Sequence, residues 1–312
     1  MYKVVIIGAG RIASGFDYPD STEILTHAHA CCHSSAFCLK GFYDSDYARA
    51  REAAKKWGCH AYQTLDDALR EAEVVICCVP DAFHGQMLAA IAEYSPRLVI
   101  AEKPLAVSVA EGEEIQRIYS GKLPLLLNYS RRFLPEFHSL REQIGQYGKF
   151  LKGVGYYGKG VLHNGSHMID FLRFLFGGAQ RQEVFPGGIP DFAGDLSKDL
   201  VLNVQGAPFY MLAIDSRAVT IFELELFFER ARVRILDGGT MIEVYETRAS
   251  STYQGYENYA LASRRNVNYS QAMAGLLDNA QKFLDSKDAL ACTLEDGLHV
   301  LRLCMEIRGE AL

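Results

Sequence analysis

The sequence predicts an α/β protein of two domains, a doubly wound parallel sheet in residues 1–123 and a second α/β domain in residues 124–312. The chain opens with the apolar, β-branched run Val4–Ile7, which ends directly at a glycine-rich turn. Strand-like and helix-like segments then alternate to the end of the first domain, as they do in a parallel sheet. In the second domain, strand-like segments joined by short turns indicate an antiparallel sheet.

Length and charge limit the classes of protein to consider. The chain has 312 residues and a formal net charge of −6, so it is long enough for two domains and shows no basic surface for nucleic acid. No apolar stretch approaches the roughly 20 residues of a membrane-spanning helix. The N-terminus enters a strand without the basic region of a signal peptide. We therefore expect a cytoplasmic protein with neither nucleic acid nor membrane as a partner.

A histidine- and cysteine-rich stretch raises the question of a metal site. His27, His29, Cys31, Cys32, His33 and Cys38 lie close together, and the chain has eight cysteines in all. None of the cysteines forms a Cys-x-x-Cys pair, and the spacing matches no zinc-ligand pattern. We therefore expect no metal. The segment from Ser14 to Phe37 is predicted to be a loop insertion followed by a helix that crosses back to the sheet.

The segment Gly8-Ala9-Gly10-Arg11-Ile12-Ala13 has the Gly-x-Gly-x-x-Gly/Ala spacing of a dinucleotide-binding turn. The two glycines permit a tight turn and a close backbone approach, and Ala13 is small enough for a helix to pack on the strand. A helix that begins here directs N–H groups at a pyrophosphate. An ordinary glycine-rich β–α turn is the alternative, but the position between a strand and a helix favours dinucleotide binding.

The second strand, Leu39–Tyr43, ends at Asp44. An acidic residue at this place accepts hydrogen bonds from ribose hydroxyls, and its charge repels a 2′-phosphate, so Asp44 favours NAD over NADP. The separation from Gly10 exceeds the usual ~20 residues, which the insertion explains. A turn residue before the next helix is the alternative interpretation.

The other elements follow from periodicity and turn residues. Helices are predicted at Asp46–Trp57, from Thr64, at Met87–Tyr94, after Pro135 through Ile144, and at Met168–Phe176, Ser270–Leu284 and Leu294–Arg308. Strands are predicted at Val74–Val79, Leu98–Ala101, Leu125–Tyr129, Lys152–Tyr157, Leu200–Gln205, Phe209–Asp215, Ile221–Phe228, Arg232–Leu236 and Met241–Tyr245. Residues 187–190 and 249–266 are predicted to be loops. The alternating Phe222, Leu224, Leu226 and Phe228 are predicted to form a face that binds a partner.

Two further stretches carry chemistry. Glu102-Lys103-Pro104 leaves the carboxyl end of a strand, where doubly wound sheets bind ligands, and the proline restricts the backbone around Lys103. His163-Asn164-Gly165-Ser166-His167 leads into a helix. A histidine can take and give a proton near neutral pH. When each residue is considered alone, Lys103 could be a solvated lysine and His167 a helix-capping or core histidine.

The order of these landmarks resembles that of the Gfo/Idh/MocA family of nicotinamide-dependent oxidoreductases. The landmarks are Gly8–Ala13, Asp44, Val79-Pro80 with His84, Glu102–Pro104, the Arg-Arg-Phe stretch within Asn128–Phe133, and Gly165–His167 with Asp170. The resemblance covers nearly the whole chain. It implies a Rossmann domain, a C-terminal α/β domain with a large, mostly antiparallel open sheet, and a homodimer or homotetramer formed through that sheet, with the last helix a candidate to pack back on the first domain.

The resemblance also implies an activity, a hydride transfer between NAD and a secondary alcohol of a sugar or sugar nucleotide. Lys103 would hydrogen-bond the reacting oxygen, and His167 would act as general acid and base together with His163. The implied cofactor contacts are Gly8, Gly10, Arg11, Ile12, Ala13, Asp44, Val79, Pro80, His84, Glu102 and Lys103. The implied substrate contacts are Lys103, Arg132, Asn164 and His167.

Position 163 departs from the family pattern. Many members carry aspartate four residues before the histidine, and His163 does not supply that fixed negative charge. Two alternatives to a dehydrogenase therefore remain open. One is a regulatory protein that keeps the nucleotide-binding fold but has lost the chemistry. The other is a lyase or hydrolase that reduces bound NAD only transiently.

Overall fold

The computed structural model describes residues 1–310, which divide into two compact units. The first unit comprises Met1–Leu134 and Ser270–Leu301. The second comprises Pro135–Tyr269 and the described residues from Arg302 onward. The first unit thus continues beyond residue 123, because the strand that follows that position joins the parallel sheet.

A six-stranded parallel sheet forms the centre of the first unit. Its strands are β1 (Tyr2–Ile7), β2 (Phe37–Tyr43), β3 (His60–Ala61), β4 (Val74–Cys77), β5 (Leu98–Ala101) and β6 (Leu125–Leu127). Their order across the sheet is β3-β2-β1-β4-β5-β6, with every neighbouring pair parallel. This is the doubly wound Rossmann order, which reverses between β1 and β4. The predicted parallel sheet is confirmed.

Helices flank this sheet, and four of them begin directly after a residue whose side chain caps the first turn. The helices are α1 (His27–His33), α2 (Tyr47–Trp57), α3 (Leu65–Glu71), α4 (His84–Ala92), α5 (Val109–Tyr119) and, later in the chain, α8 (Ala272–Leu284) with the first part of α9 (Leu294–Arg308). The side chains of Thr26, Asp46, Thr64 and Ser108 accept hydrogen bonds from first-turn amides of α1, α2, α3 and α5. We did not predict α5, although Ser108 with Glu111 three residues later is the signal of a helix start.

The second unit is built on an eight-stranded sheet. Its strands are β7 (Phe150–Tyr157), β8 (Gln180–Val184), β9 (Leu200–Val204), β10 (Ala207–Ala213), β11 (Phe222–Phe228), β12 (Ala231–Leu236), β13 (Met241–Ala249) and β14 (Glu257–Asn266). The order is β14-β13-β12-β11-β7-β10-β9-β8, and each neighbouring pair is antiparallel except β7 with β10. The mostly antiparallel open sheet is confirmed. Helices α6 (Pro135–Ile144) and α7 (Ser166–Phe176) belong to this unit.

The prediction of a loop at residues 249–266 was wrong for the second half of that range. Residues 257–266 form β14, which pairs with β13 from Met241↔Asn266 to Ala249↔Glu257. This strand lies at the edge of the sheet and most of its side chains are exposed. An edge strand with little burial on either face needs no alternation of apolar and polar residues, so its sequence shows no strand pattern.

The prediction that the apolar face of β11 binds a partner was also wrong. Phe222, Leu224, Leu226 and Phe228 are at most 4% exposed. The Phe228 ring lies 6.2 Å from that of Phe176 in α7, and the rings of Phe222 and Phe171 are 6.4 Å apart. Helix α7 therefore covers this face. Alternation shows which side chains share a face of a strand, but not which face the helices bury. Among residues 1–310, no helix is long and apolar enough to span a membrane.

Candidate functional site

The carboxyl ends of the central parallel strands meet at one edge of the first unit. The Gly8 N–H donates to the last carbonyl of β2 at 2.7 Å, the Cys78 N–H to the last carbonyl of β1 at 2.7 Å, and the Glu102 N–H to the last carbonyl of β4 at 3.0 Å. Each bond extends the sheet by one residue. The glycine turn, the segment after β4 and the Glu102–Lys103 pair are thereby brought to the edge where doubly wound sheets bind ligands.

The two glycines of the turn have different roles. Gly8 has φ +92°, and a Cβ there would lie 2.6 Å from the Cys78 carbonyl oxygen, so no larger residue fits. A Cβ at Gly10 would meet no heavy atom within 4 Å. The turn that follows, Arg11–Gly15, is a single π-helical turn that no side chain caps, with Ala13 buried and Arg11 exposed. Open space beside Gly10 and an uncapped helical turn fit a pyrophosphate.

The insertion after this turn folds around a buried carboxylate, Asp17, which is 3% exposed. Asp17 accepts hydrogen bonds from the Leu25 N–H at 2.6 Å, the Thr26 hydroxyl at 2.6 Å and His29 Nδ1 at 2.8 Å. Burial alone would raise the pKa of Asp17, but these hydrogen bonds outweigh it and hold the pKa below its ordinary value. The insertion is therefore anchored at the start of α1, and His29 binds a carboxylate of the chain itself.

Asp44 lies directly beside the glycine turn and is 9% exposed. Its Oδ2 accepts from the Ala9 N–H at 2.8 Å, its Oδ1 accepts from the Asp46 N–H at 2.9 Å, and Arg49 Nη2 lies 3.0 Å from Oδ1. The carboxylate therefore holds the glycine turn in place. Sequence reasoning missed the contact with Arg49. The only signal for it was that Arg49 lies in the first turn of α2, close to Asp44 in the chain.

Glu102 is held by two side chains from distant parts of the first unit. His27 Nε2 and Asn128 Nδ2 lie 2.8 and 2.7 Å from Glu102 Oε1, and His27 is fully buried. Burial alone would raise the pKa of Glu102, but the hydrogen bonds from His27 and Asn128 hold it below its ordinary value. The half-buried Lys103 follows at the same edge, and its peptide bond to Pro104 is cis. Sequence reasoning considered His27 only as a possible metal ligand and missed this contact.

The segment after β4 is held by His84, which is fully buried. Its Nε2 donates to the Val79 carbonyl oxygen at 2.9 Å and so ties the start of α4 to the end of β4. Val79 is half-buried and Pro80 exposed at the edge. Helix α4 begins at His84, three residues before the predicted start.

Arg132 belongs to the first unit, in the 3₁₀ turn Ser130–Phe133, and is 5% exposed. Its Nη1 donates to the Ala291 carbonyl oxygen at 2.8 Å and lies 3.3 Å from Asp296 Oδ2. The predicted substrate contact thus makes buried contacts with the chain itself.

In the second unit, the predicted histidines lie on one helical segment. A π-helical turn, Val161–Gly165, runs directly into α7. His163 and His167 are half-buried, and Asp170 is 1% exposed one turn further on. The His163 ring stacks on that of Phe192, with centroids 4.1 Å apart and an angle of 15° between planes. Asn164 Nδ2 donates to the Gly158 carbonyl oxygen at 3.0 Å.

A loop of the second unit, residues 190–197 (the 190–197 loop), contacts the start of this segment. The Asp195 carboxylate accepts from the His163 N–H at 2.8 Å and is 6% exposed. Burial raises the pKa of Asp195, against the opposing effects of the His163 N–H and of Arg308. Sequence reasoning predicted only a loop at residues 187–190 and did not single out Asp195, because no local pattern marks a long-range cap.

Comparison with known proteins finds a family match for residues 2–123. The Gfo/Idh/MocA profile, described as an oxidoreductase family with an NAD-binding Rossmann fold, matches residues 2–123. The chain is 33% identical over 129 residues to an inositol 2-dehydrogenase of Leifsonia xyli subsp. xyli, a match that covers 38% of each chain. It therefore spans about two fifths of the length of that curated relative.

Solved structures resemble the chain over nearly its whole length. A UDP-N-acetylglucosamine 3-dehydrogenase from Acidithiobacillus ferrooxidans has a TM-score of 0.75 at 16% identity, covering 99% of this chain and 97% of the other. An oxidoreductase from Agrobacterium radiobacter, solved with NAD+, L-tartaric acid and magnesium, has a TM-score of 0.73 at 15% identity, covering 99% and 96%. At these identities the likeness shows a shared fold.

The profile match and the sheet order together confirm the family resemblance and the NAD-binding fold predicted from the sequence. Residues 2–123 match the model of the Gfo/Idh/MocA oxidoreductase family, whose members have an NAD-binding Rossmann fold.

Proposed function

We propose that the chain is an NAD-dependent dehydrogenase that acts on a secondary hydroxyl of a sugar, a cyclitol or a sugar nucleotide. The observation that carries the proposal is the position of Lys103 at the carboxyl edge of the Rossmann sheet, two strands from the glycine turn. Relatives named for inositol and for UDP-N-acetylglucosamine support a ring-shaped polyol as the substrate class. Asp44 supports NAD as the preferred cofactor.

In this mechanism Lys103 and His167 act on the hydroxyl group. The Lys103 ammonium donates a hydrogen bond to the reacting oxygen and stabilises the negative charge that grows on it. His167 takes the hydroxyl proton during oxidation and returns it during reduction. When bound, NAD+ would accept the hydride that leaves the carbon, and His167 would hold the proton that leaves the oxygen as the carbonyl forms. Asn164 and Arg132 are proposed to contact the substrate.

The cofactor contacts that we propose lie at the carboxyl edge of the first unit's sheet. The turn around Gly10, Arg11, Ile12 and Ala13 is proposed to hold the pyrophosphate. Asp44 uses three of its roughly four acceptor positions within the chain, which leaves one for a ribose hydroxyl. Val79, Pro80, His84 and Glu102 would shape the nicotinamide end of the site.

The experiment is to substitute Lys103→Met and to measure NADH binding and turnover on a panel of inositols and UDP-sugars. We expect the NADH dissociation constant to stay within about threefold, while kcat falls by on the order of 10³-fold, because the stabilisation acts only on the developing charge. The control is Lys40→Met, which removes an ion pair with Glu71 elsewhere in the first unit. Wild-type turnover in Lys103→Met would exclude the catalytic role.

Two other outcomes would favour the alternatives to a dehydrogenase. NADH binding without hydride exchange on any polyol would indicate a regulatory nucleotide-binding protein. Cofactor that stays bound through purification, with substrate consumed and no net NADH formed, would indicate a lyase or hydrolase.

We also propose that two or four copies of the chain associate through the outer face of the second unit's sheet. On this face Arg232 stands opposite Phe227 on one neighbouring strand and Tyr245 on the other. All three are half-buried. Arg234 lies on the same face and pairs with Glu225 and Glu243. A face that carries both charges and aromatic rings suits an isologous contact with a second copy.

A further inference from the structure

We propose that Asp195 is a positioning residue that holds the helical turn carrying His163 and His167. Position 163 carries no carboxylate, and Asp195 supplies one to this turn from the 190–197 loop. The inference deepens the proposed function and rests on it, because it concerns the histidine proposed to exchange the proton.

The contact between Asp195 and the turn is direct and buried. Asp195 Oδ2 accepts from the His163 N–H at 2.8 Å, and the carboxylate is 6% exposed. A buried carboxylate is unfavourable unless it is well paired. Its partners here are the first amides of a helical segment and Arg308, whose Nε lies 3.8 Å from Oδ1 and whose Nη2 donates to the Gly194 carbonyl oxygen at 3.0 Å.

The backbone beneath Asp195 is shaped to admit it. Gly160 has φ +82°, in the left-handed region that favours glycine, and a Cβ at this position would collide with the Asp195 carboxylate. Only a residue without a side chain allows the carboxylate to reach the amides of the following turn. The position of the Asp195 carboxylate therefore depends on glycine at position 160.

The rest of the loop contacts the same stretch of backbone, one amide after another. The Lys159 N–H donates to Asp191 at 2.7 Å, the Gly160 N–H to the Ser197 hydroxyl at 2.8 Å, and the Val161 N–H to the Leu196 carbonyl at 3.2 Å. The His163 N–H then donates to Asp195. The loop thus fixes the backbone that enters the turn, and His167 lies four residues further along the same helical segment.

The stacked ring of His163 gives a direct readout of this positioning. Because the ring lies 4.1 Å from Phe192 and nearly parallel to it, the ring current of Phe192 shifts the His163 ring protons upfield. This shift depends on the geometry of the turn against the loop, not on overall stability. It is measured by NMR on the whole chain, with the signals assigned from their loss in His163→Gln.

The test substitutes Asp195→Asn, which keeps the size of the side chain but removes its charge and turns a donor towards backbone amides. We expect at least half of the upfield shift of the His163 ring protons to be lost. We also expect kcat on the sugar substrate to fall by on the order of 10²-fold with a smaller change in KM, because a displaced proton acceptor is misaligned. NADH binding stays unchanged, since Asp195 belongs to the second unit.

Two further variants make the result decisive. Arg308→Gln removes the cation beside Asp195 and should produce a smaller change of the His163 signals in the same direction, even if Asp195→Asn fails to fold. Asp199→Asn is the matched control, because Asp199 is an exposed carboxylate that accepts from the Ala213 N–H just beyond the loop. It should leave the signals where they are.

A wild-type ring shift and wild-type kcat in Asp195→Asn would overturn the proposal. A loss of thermal stability with an unchanged ring shift would overturn it as well, because Asp195 would then be only a helix cap. The ring shift is measured without cofactor or substrate. A failure to find any turnover in the wild-type chain would therefore contradict the proposed function and leave the NMR result standing.

Discussion

Asp44 stabilises the glycine turn and is also the residue that we propose binds the ribose. Its carboxylate accepts from the Ala9 and Asp46 amides, which orders the glycine turn, and it pairs with Arg49 at 3.0 Å. The Arg49 side chain is 56% exposed, so it is free to turn towards a ligand at the ribose site. The charge that repels a 2′-phosphate is therefore partly offset by a neighbouring cation.

Substitution at these two positions should change cofactor preference in opposite directions. We expect Arg49→Gln to weaken NADPH binding several-fold with little effect on NADH, because it removes a cation that can meet the 2′-phosphate. Asp44→Asn should reduce the preference for NADH. Fluorescence titration with both cofactors measures the ratio of dissociation constants. An unchanged ratio in Asp44→Asn would contradict the assignment of Asp44 to the ribose site.

The carboxylate of Asp191 predicts an acid dependence of stability. Burial alone would raise its pKa, but the Lys159 and Ser216 amides and the Ser197 hydroxyl lower it from 3.8 to about 2. Because the folded pKa lies below the unfolded value, the stabilisation is fully present above pH 3.8 and is lost as the pH falls towards about 2.

Asp191→Asn should therefore lower the free energy of unfolding most near neutral pH, by roughly 1–2 kcal/mol. The difference from wild type should shrink between about pH 4 and pH 2, as the wild-type carboxyl takes up its proton. Urea unfolding at a series of pH values measures it. A difference that grows as the pH falls would show that the assigned hydrogen bonds do not stabilise the folded state.

At the scale of elements, the first β–α turn combines one glycine required by the fold with one that leaves space for a ligand. The Cβ of an alanine at position 8 would press on the Cys78 carbonyl oxygen at 2.6 Å, whereas at position 10 it would enter open space. The two substitutions should therefore have separable effects.

We expect Gly8→Ala to lower the free energy of unfolding by at least about 2 kcal/mol, from the positive φ and the backbone contact. Gly10→Ala should leave thermal unfolding nearly unchanged but weaken NADH binding by roughly 10–100-fold, because its methyl group occupies the approach of the pyrophosphate. Thermal melts and NADH titrations of both variants measure these effects. Full NADH affinity in Gly10→Ala would mean that the pyrophosphate binds elsewhere.

At the scale of the whole molecule, the outer face of the second unit's sheet is the surface proposed to join copies of the chain. The Arg232 guanidinium lies 5.4 Å from the ring centres of both Phe227 and Tyr245. Light scattering after size exclusion should give two or four times the mass of one chain. The double substitution Phe227→Glu with Tyr245→Glu should give the mass of one chain, because it places like charges opposite each other across a twofold contact.

The control for this experiment is Val219→Glu, at a half-exposed position between β10 and β11. It should leave the mass of the assembly unchanged. A single-chain mass for the wild-type protein would exclude the association.

Most elements of the fold were predictable because their signals are local. Buried parallel strands such as Val74–Cys77 are continuous apolar runs, and helix starts such as Thr64 and Asp46 carry their own caps. The signals fail at the edges of the second sheet, where β8 and β14 are held by backbone hydrogen bonds and bury few side chains. The covered face of β11 was assigned to a partner for another reason, because alternation does not show which face of a strand the helices bury.

The sequence by itself determined the doubly wound sheet, the glycine turn, Asp44 at the end of a strand, and the resemblance to an oxidoreductase family, since each is marked by short local patterns along the chain. Only the tertiary structure decided which groups hold the candidate site residues in place. The contacts of Glu102 with His27, of Asp44 with Ala9 and of Asp195 with His163 join residues 75, 35 and 32 positions apart. Such pairs leave no periodic trace in the sequence, because they form only when separate elements pack together.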